Sequence, residues 1–144
     1  MDQEQLYMTA TMLKVHFILY VEDQATSTAF YTHVLNQKPS LNVPGMAEFM
    51  LSKDCILGLM PEAGIKRLLG ERLFDPDAGD GIPRAELYLL VNEPQMYHRR
   101  ALEAGAIELS NLIARDWGHR AAYSLDLDGH VLAFAEPIES NETA

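Results

Sequence analysis

The chain has 144 residues, 48% hydrophobic and 22% charged, which suits one domain burying roughly 70% of the surface its unfolded form exposes. Its 11 Lys and Arg face 21 Asp and Glu, a net charge of -10 that opposes the counterion release behind nucleic-acid binding and argues against DNA, RNA and anionic membranes as partners. Cys55 is the single cysteine, no apolar run nears the ~20 residues that cross a bilayer and no signal-peptide pattern opens the chain, so a soluble protein of the reducing cytosol is expected.

Lys14 to Val21 reads KVHFILYV, a β-branched and aromatic run that predicts a strand, and Glu22 and Asp23 follow as helix-entry residues. A helix is expected over 24–35, with Phe30, Tyr31, Val34 and Leu35 as its buried stripe and Asn36 as a left-handed cap. Thr26, Ser27, Thr28 and Thr32 are then expected to face water or the helix ends. Ala47 to Ser52 and Cys55 to Met60 are apolar segments joined by Lys53 and Asp54, a hairpin pattern. Next, Ile65, Leu68, Leu69 and Leu73 mark one side of a short amphipathic helix with Gly70 as its weak point. The acidic string DPDAGDGIP (Asp75 to Pro83) follows. It lacks the bidentate Glu of an EF-hand, and is expected to cover a sheet edge or meet a second subunit, a lid being the alternative.

The order then repeats. Glu86 to Val91 (ELYLLV) answers His16 to Val21 (HFILYV), and Asn92, Glu93 and Pro94 open a helix that carries Tyr97, Ala101 and Leu102 and ends at Gly105. Ala121 to Leu125 and His130 to Ala135 flank Asp126-Leu127-Asp128-Gly129, whose Asp-Gly step signals a tight turn. Two such units each leave a half-covered sheet, so they should pair to close a core or a cup.

The segment HFILYVEDQATSTAFYTHVL (His16 to Leu35) resembles the opening strand and helix of the vicinal oxygen chelate superfamily of glyoxalases, bleomycin-resistance proteins and extradiol dioxygenases. RDWGHRAAYSLDLDGHVLAFAEP (Arg115 to Pro137) is similar to the family's closing hairpin, with Leu127 where a proline commonly stands. The resemblance implies an α+β fold over 11–137: two βαβββ modules in tandem, about 11–60 and 86–137, joined by 61–85, with tails at 1–10 and 138–144. Their curled mixed sheets would form a cup, shared within one chain or built with a second.

In metal-bearing relatives four equivalent strand positions hold mostly His and Glu. Carried over, these positions are His16, Gly58, Glu86 and Ala133. Glycine and alanine have no side-chain donor, so His16 and Glu86 alone would leave about four places of an octahedron to water. No cofactor or resident metal is therefore expected, a divalent ion at an atypical site being the alternative. His16 and Glu86 are the candidate catalytic pair if they meet on the floor of one cup, where a carboxylate beside an imidazole suits acid–base work; otherwise they line a polar pocket or satisfy each other structurally.

Strand alternation places Ile18 and Tyr20 with His16, Ile56 and Met60 with Gly58, Tyr88 and Leu90 with Glu86, and Val131 and Ala135 with Ala133. Phe17, Leu19, Leu87, Leu89, Leu132 and Phe134 are expected to pack under the helices. Tyr20, Gly58, Met60, Tyr88 and Ala133 are candidate ligand-lining residues, the small ones leaving room for an apolar or aromatic guest. Trp117 and Arg120 are rim candidates, Arg120 as the cationic group an acidic ligand would need; the alternative is a structural loop in which Trp117 plugs the hydrophobic edge and the charges are solvated. His33, His98 and His130 are expected to be exposed. The chain is thus expected to bind an aromatic or drug-like small molecule without a complete metal site, as a homodimer. The alternative is a glyoxalase- or dioxygenase-like enzyme, metal-dependent or a metal-free lyase or isomerase using His16 and Glu86.

Overall fold

Asp23 begins the first helix: its carboxylate accepts from the Thr26 amide at 2.8 Å and the Thr26 hydroxyl at 2.6 Å, satisfying donors that have no partner inside a first helical turn. In the computed structural model, which describes residues 12–139, strand β1 (Val15–Val21) leads into this helix, α1 (Gln24–Leu35), which ends on Asn36 in the left-handed conformation, as its sequence predicts. Strands β2 (Leu41–Val43), β3 (Met46–Ser52) and β4 (Cys55–Pro61) complete a four-stranded sheet of order β1-β4-β3-β2, with β1 and β4 parallel. The second half repeats the plan. Strand β5 (Glu86–Leu90), a helix at Pro94–Glu103, and strands β6 (Ile107–Ala114), β7 (His119–Leu125) and β8 (Val131–Pro137) give the order β5-β8-β7-β6, again with a parallel outer pair. Between the halves lies α2 (Glu62–Leu69), which makes the Pro94–Glu103 helix α3.

Two strands, β2 and β6, were not evident from local pattern, although a βαβββ module requires them. β2 is three residues long and β6 pairs with β7 through two register shifts. Both lie at sheet edges, where alternation is weakly enforced.

On α1, Phe30, Tyr31 and Val34 are buried as expected, but Ser27 and Thr28 are buried too. The Thr28 hydroxyl tolerates this by donating to the Gln24 carbonyl at 2.6 Å, which removes the penalty of an unpaired buried hydroxyl. His98 also departs from expectation. It is 1% exposed, its Nε2 lying 2.8 Å from a Glu108 carboxylate oxygen, because α3 packs against β6, β7 and β8 and carries His98 on its inner side. His130 is partly buried and His33 exposed. In the connector, α2 ends at Gly70 (φ 77°), but only Ile65 of the anticipated stripe is buried, while Leu68 and Leu69 are more than half exposed. Phe17, expected beneath a helix, is also half exposed.

The helix-covered faces of the two sheets share one core. Phe30, Tyr31, Val34, Phe49, Leu57 and Leu59 of the first module cluster with Leu87, Ala101, Leu132 and Phe134 of the second. The Arg100 Nε donates to the Val34 carbonyl at 3.0 Å, linking α3 to α1. The strongest tie is the β7–β8 turn. The Tyr31 hydroxyl donates to buried Asp126 at 2.6 Å, and the other Asp126 oxygen accepts from the amides of Asp128 and His130, each at 2.9 Å. Asp128 in turn accepts from the Glu22 amide at 2.8 Å, and the His130 Nε2 donates to the Tyr20 carbonyl at 3.0 Å. The second module's hairpin turn is thereby clamped onto the β1–α1 junction of the first.

The connector packs on the same turn. A Cβ built on Gly129, whose φ is 87°, would stand 2.8 Å from the Gly81 carbonyl oxygen and 3.0 Å from the Gly81 Cα. A second backbone therefore occupies the space a side chain would need. Gly129→Ala is expected to destabilise by about 2 kcal/mol or more, from positive φ and backbone collision together. Urea unfolding checks this, and an effect within about 0.5 kcal/mol would show that the connector does not press on the turn.

Burial, and next the Asp126 carboxylate, hold the Tyr31 phenol well above its ordinary value. A raised folded-state value means that this bond's stability is fully present below the unfolded phenol's pKa of about 10 and is lost as pH rises from there toward the folded value. Tyr31→Phe is expected to lower stability by about 2 kcal/mol near neutral pH. The gap between wild type and variant should then narrow above about pH 10. A gap independent of pH in alkaline urea titrations would refute the link.

Candidate functional site

In each sheet the side chains opposite the helices form an open face. In the first module it carries His16, Ile18 and Tyr20 of β1, Ile56, Gly58 and Met60 of β4, and Met46, Glu48 and Met50 of β3. The register puts Gly58 between Ile18 and Glu48, and Ile56 between His16 and Met50. The His16 Nδ1 lies 3.5 Å from a Glu48 carboxylate oxygen, although β1 and β3 are two strands apart, about 10 Å between backbones. The two side chains meet above β4. Gly58 makes this possible, since it raises no side chain between them.

That absence leaves no hole. A Cβ on Gly58 would stand 3.1 Å from Ile18 Cγ1 and 3.2 Å from Met46 Sδ. Neighbouring side chains therefore already fill the space that small residues were expected to leave for a guest.

The second sheet is built alike. Its open face carries Glu86, Tyr88 and Leu90 of β5, Val131, Ala133 and Ala135 of β8, and His119, Ala121 and Tyr123 of β7. The Tyr88 hydroxyl lies 2.7 Å from the His119 Nδ1, again joining residues two strands apart across the central strand, here at Ala133 and Ala135. The two rings stack with centroids 5.8 Å apart. Trp117, on the β6–β7 turn and 57% exposed, donates its indole N–H to the same Tyr88 oxygen at 3.0 Å. The Arg115 guanidinium lies over the Tyr123 ring, 5.1 Å from its centroid, and donates to the Ala121 carbonyl and the Ser110 hydroxyl. Desolvation, then the Glu86 carboxylate, push the Tyr123 hydroxyl above its ordinary value. Ala133 and Ala135 are fully buried: a ligand on this face meets the aromatic roof and not the alanine floor.

The anticipated site residues are thus distributed over two faces. Tyr20, Gly58 and Met60 lie with His16 on one, and Tyr88, Ala133 and Trp117 with Glu86 on the other. His16 and Glu86 form neither a hydrogen bond nor an ion pair; His16 meets Glu48 instead. Arg120 pairs in register with Glu136 and alternates with His119 and Ala121, so it sits on the helix-covered side of β7, away from Trp117 and Tyr88. Glu48 was the residue sequence reasoning missed. Its signal is the alternation of Met46-Ala47-Glu48-Phe49, in which a charge falls on the face opposite buried Ala47 and Phe49, but only the strand register shows that it reaches His16.

The donor set does not fit a resident divalent ion. Among the described residues no three His, Cys, Asp or Glu side chains are grouped so as to hold one, and two of the four family positions are Gly58 and Ala133, without donors. A concavity of about 100 Å³ is lined by Met50 and Leu90 together with Leu35, Leu51, Leu89 and Tyr97. A groove of about 670 Å³ on the outer side of α1 is lined by Ala25, Thr28, Ala29, Thr32, His33 and Arg100 among others. Its polar groups are occupied: both threonine hydroxyls bond helix carbonyls, Arg100 bonds Val34 and His33 lies 3.4 Å from Glu103. The ionisable and aromatic groups converge on the sheet faces, which makes these faces the candidate site.

No described helix is long and apolar enough to cross a membrane. Among curated proteins none matches this chain. Among solved structures, the chain is similar to a glyoxalase-related enzyme from Fulvimarina pelagi (TM-score 0.72, 19% identity, covering 93% of this chain and 96% of that one). It is similar also to a glyoxalase/bleomycin resistance protein/dioxygenase from Nocardioides (TM-score 0.70, 20% identity, 99% and 98%). A protein of unknown function from Agrobacterium tumefaciens has the same fold (TM-score 0.71, 19% identity, 92% and 99%). At these identities the likeness speaks for fold alone. The model of the Glyoxalase/Bleomycin resistance protein/Dioxygenase superfamily matches residues 14–134, and with its two βαβββ modules the chain belongs to that superfamily.

Proposed function

We propose that this protein binds a small, largely apolar or aromatic organic molecule against its open sheet faces without a resident metal, in a hollow completed by a second copy of the chain. The observation that carries this reading is the state of the two donorless family positions. Gly58 and Ala133 are buried beneath side chains that reach across the central strands, so the surface left to a guest consists of Ile18, Tyr20 and Met50 on one face and Tyr88, Leu90 and Trp117 on the other. Several of these are more than 40% exposed in a single chain, an apolar display that marks a contact surface. β1 and β5 each end their sheet with one edge unpaired among the described residues, which a second copy would cover. Cys55 as a lone thiol suits a reducing cytosol.

The His16–Glu48 contact favours a second reading, a metal-free lyase or isomerase. A carboxylate beside an imidazole orients it for proton transfer, and His16 keeps 41% of its side-chain surface exposed. In that case the carboxylate partner is Glu48, with Glu86 serving the other face.

Elemental analysis of protein purified without chelator distinguishes these readings from a metalloenzyme. Metal well below one equivalent per chain is expected, together with a melting temperature that rises with the concentration of an aromatic probe such as indole. Stoichiometric divalent metal that disappears with His16→Ala would overturn the proposal. Light scattering is expected to give twice the 16.1 kDa chain mass, and Ile18→Asp, a charge placed on the apolar face, is expected to shift the protein toward monomer. A wild-type chain that stays monomeric at every accessible concentration would remove the second copy from the reading.

A further inference from the structure

The hydrogen-bond directions on the second open face carry information about what it can recognise. An indole N–H only donates, so at the Tyr88 oxygen Trp117 is the donor, at 3.0 Å. The phenol still has its own proton to place. The Tyr88 oxygen has one other partner, the His119 Nδ1 at 2.7 Å, and the phenolic proton is satisfied by pointing at that nitrogen. With the phenolic proton so placed, the His119 Nδ1 accepts, and this is the tautomer we assign. A neutral imidazole that accepts at one nitrogen carries its proton on the other, so His119 presents Nε2–H. In this assignment the chain runs one way, from Trp117 N–H to Tyr88 O–H to His119, and it ends in a donor that meets no acceptor among the described residues, on a partly buried ring.

The geometry points to a ligand with a planar ring and an uncharged oxygen acceptor, such as an aryl ketone or aldehyde, the ring resting on the Tyr88, His119 and Trp117 surface and the carbonyl accepting from His119 Nε2–H. This rests on the reading of the open faces as a ligand site and adds to it the polarity of the ligand. Aromatic faces suit a flat ring, and offset stacking adds to the area it buries. An unfilled donor rewards an acceptor and gives nothing to a second donor. Charge decides between a neutral acceptor and an anion. The chain carries -10 overall, the Glu86 carboxylate lies on this same face beside Tyr123, and the Arg115 guanidinium is held over Tyr123 by its bonds to Ala121 and Ser110. A carboxylate ligand would thus meet the Glu86 charge, while Arg115 is already engaged.

Ligand-observed NMR titration can test this with four probes built on one ring: acetophenone, ethylbenzene, benzoate and benzylamine. Acetophenone and ethylbenzene differ in one group, the carbonyl. Acetophenone is expected to bind about fivefold tighter than ethylbenzene, the factor worth one ordinary hydrogen bond, and tighter than either charged probe. In His119→Phe, which keeps a ring against Tyr88 but has no N–H, the ratio of acetophenone to ethylbenzene affinity should fall to about one. Tyr88→Phe removes the group that fixes the tautomer and serves if the first variant does not fold. The ¹⁵N shifts of the His119 ring should report protonation at Nε2 in the wild type and a mixture in Tyr88→Phe, and the affinity ratio should fall as well. Equal affinity for acetophenone and ethylbenzene, a ratio that survives both variants, or tightest binding of benzoate or benzylamine would each overturn the inference while leaving a ring-binding face in place. If the folded protein binds none of the four, the ligand-site reading fails with it.

Discussion

The bond from Tyr31 to Asp126 decides how the two halves of the chain stand to one another. It joins the middle of α1 to the β7–β8 turn, 95 residues away in sequence, and it is buried, so neither group can exchange its partner for water without opening the core. Asp126 also organises its own turn through the amides of Asp128 and His130, and those residues reach the Glu22 amide and the Tyr20 carbonyl. One carboxylate thus ties helix, turn and strand end together. The helix-covered faces of both modules then share a core, and the opposite faces of both sheets remain available. The open faces are a consequence of this joint as much as of the strands that carry them.

The parts of this arrangement that were legible in the sequence were those written in local pattern. KVHFILYV reads as a strand, Asp23 and Asn36 bracket the first helix, and alternation along the strands agrees with the register from His16 to Ala135, although Phe17 is half exposed and not packed under a helix. Edge strands escaped because β2 is short and β6 is irregular. Contacts two strands apart escaped for a different reason. That His16 meets Glu48 depends on the register of β3 against β4 and on Gly58 having no side chain, and that Tyr88 meets His119 depends on the register of β7 against β8. Alternation gives the face of a residue but not its neighbours on that face. Arg120 illustrates the limit. It stands in sequence beside His119 and three residues from Trp117, and one step along a strand carries it through to the other side of the sheet.

The small residues at the family's donor positions have a structural logic of their own. A bulky side chain on a central strand holds the flanking strands' side chains apart; a glycine or alanine lets them close over it. In both modules a polar contact spans the central strand over a small residue, His16 with Glu48 near Gly58 and Tyr88 with His119 across Ala133 and Ala135. A small residue at the equivalent place of each module thus goes with the same kind of result: a polar contact roofing it. Restoring a donor at Gly58 would therefore need Met46 and Ile18 to move, and at fully buried Ala133 the new side chain would have to displace the aromatic roof.

The two roofs nonetheless differ in chemistry. The first face is rich in thioethers, with Met46, Met50 and Met60 around an imidazole–carboxylate pair, and thioethers adapt to the shape of whatever they meet. The second is rigid and aromatic, with Tyr88, His119, Trp117 and Tyr123 held by hydrogen bonds and a stacked cation. A hollow that takes one wall from each kind would grip a ring on the aromatic side and mould to its substituents on the other. A hollow with two like walls would lose one of these properties. The two sheets share one strand plan and one core, and they differ most in the side chains of their open faces.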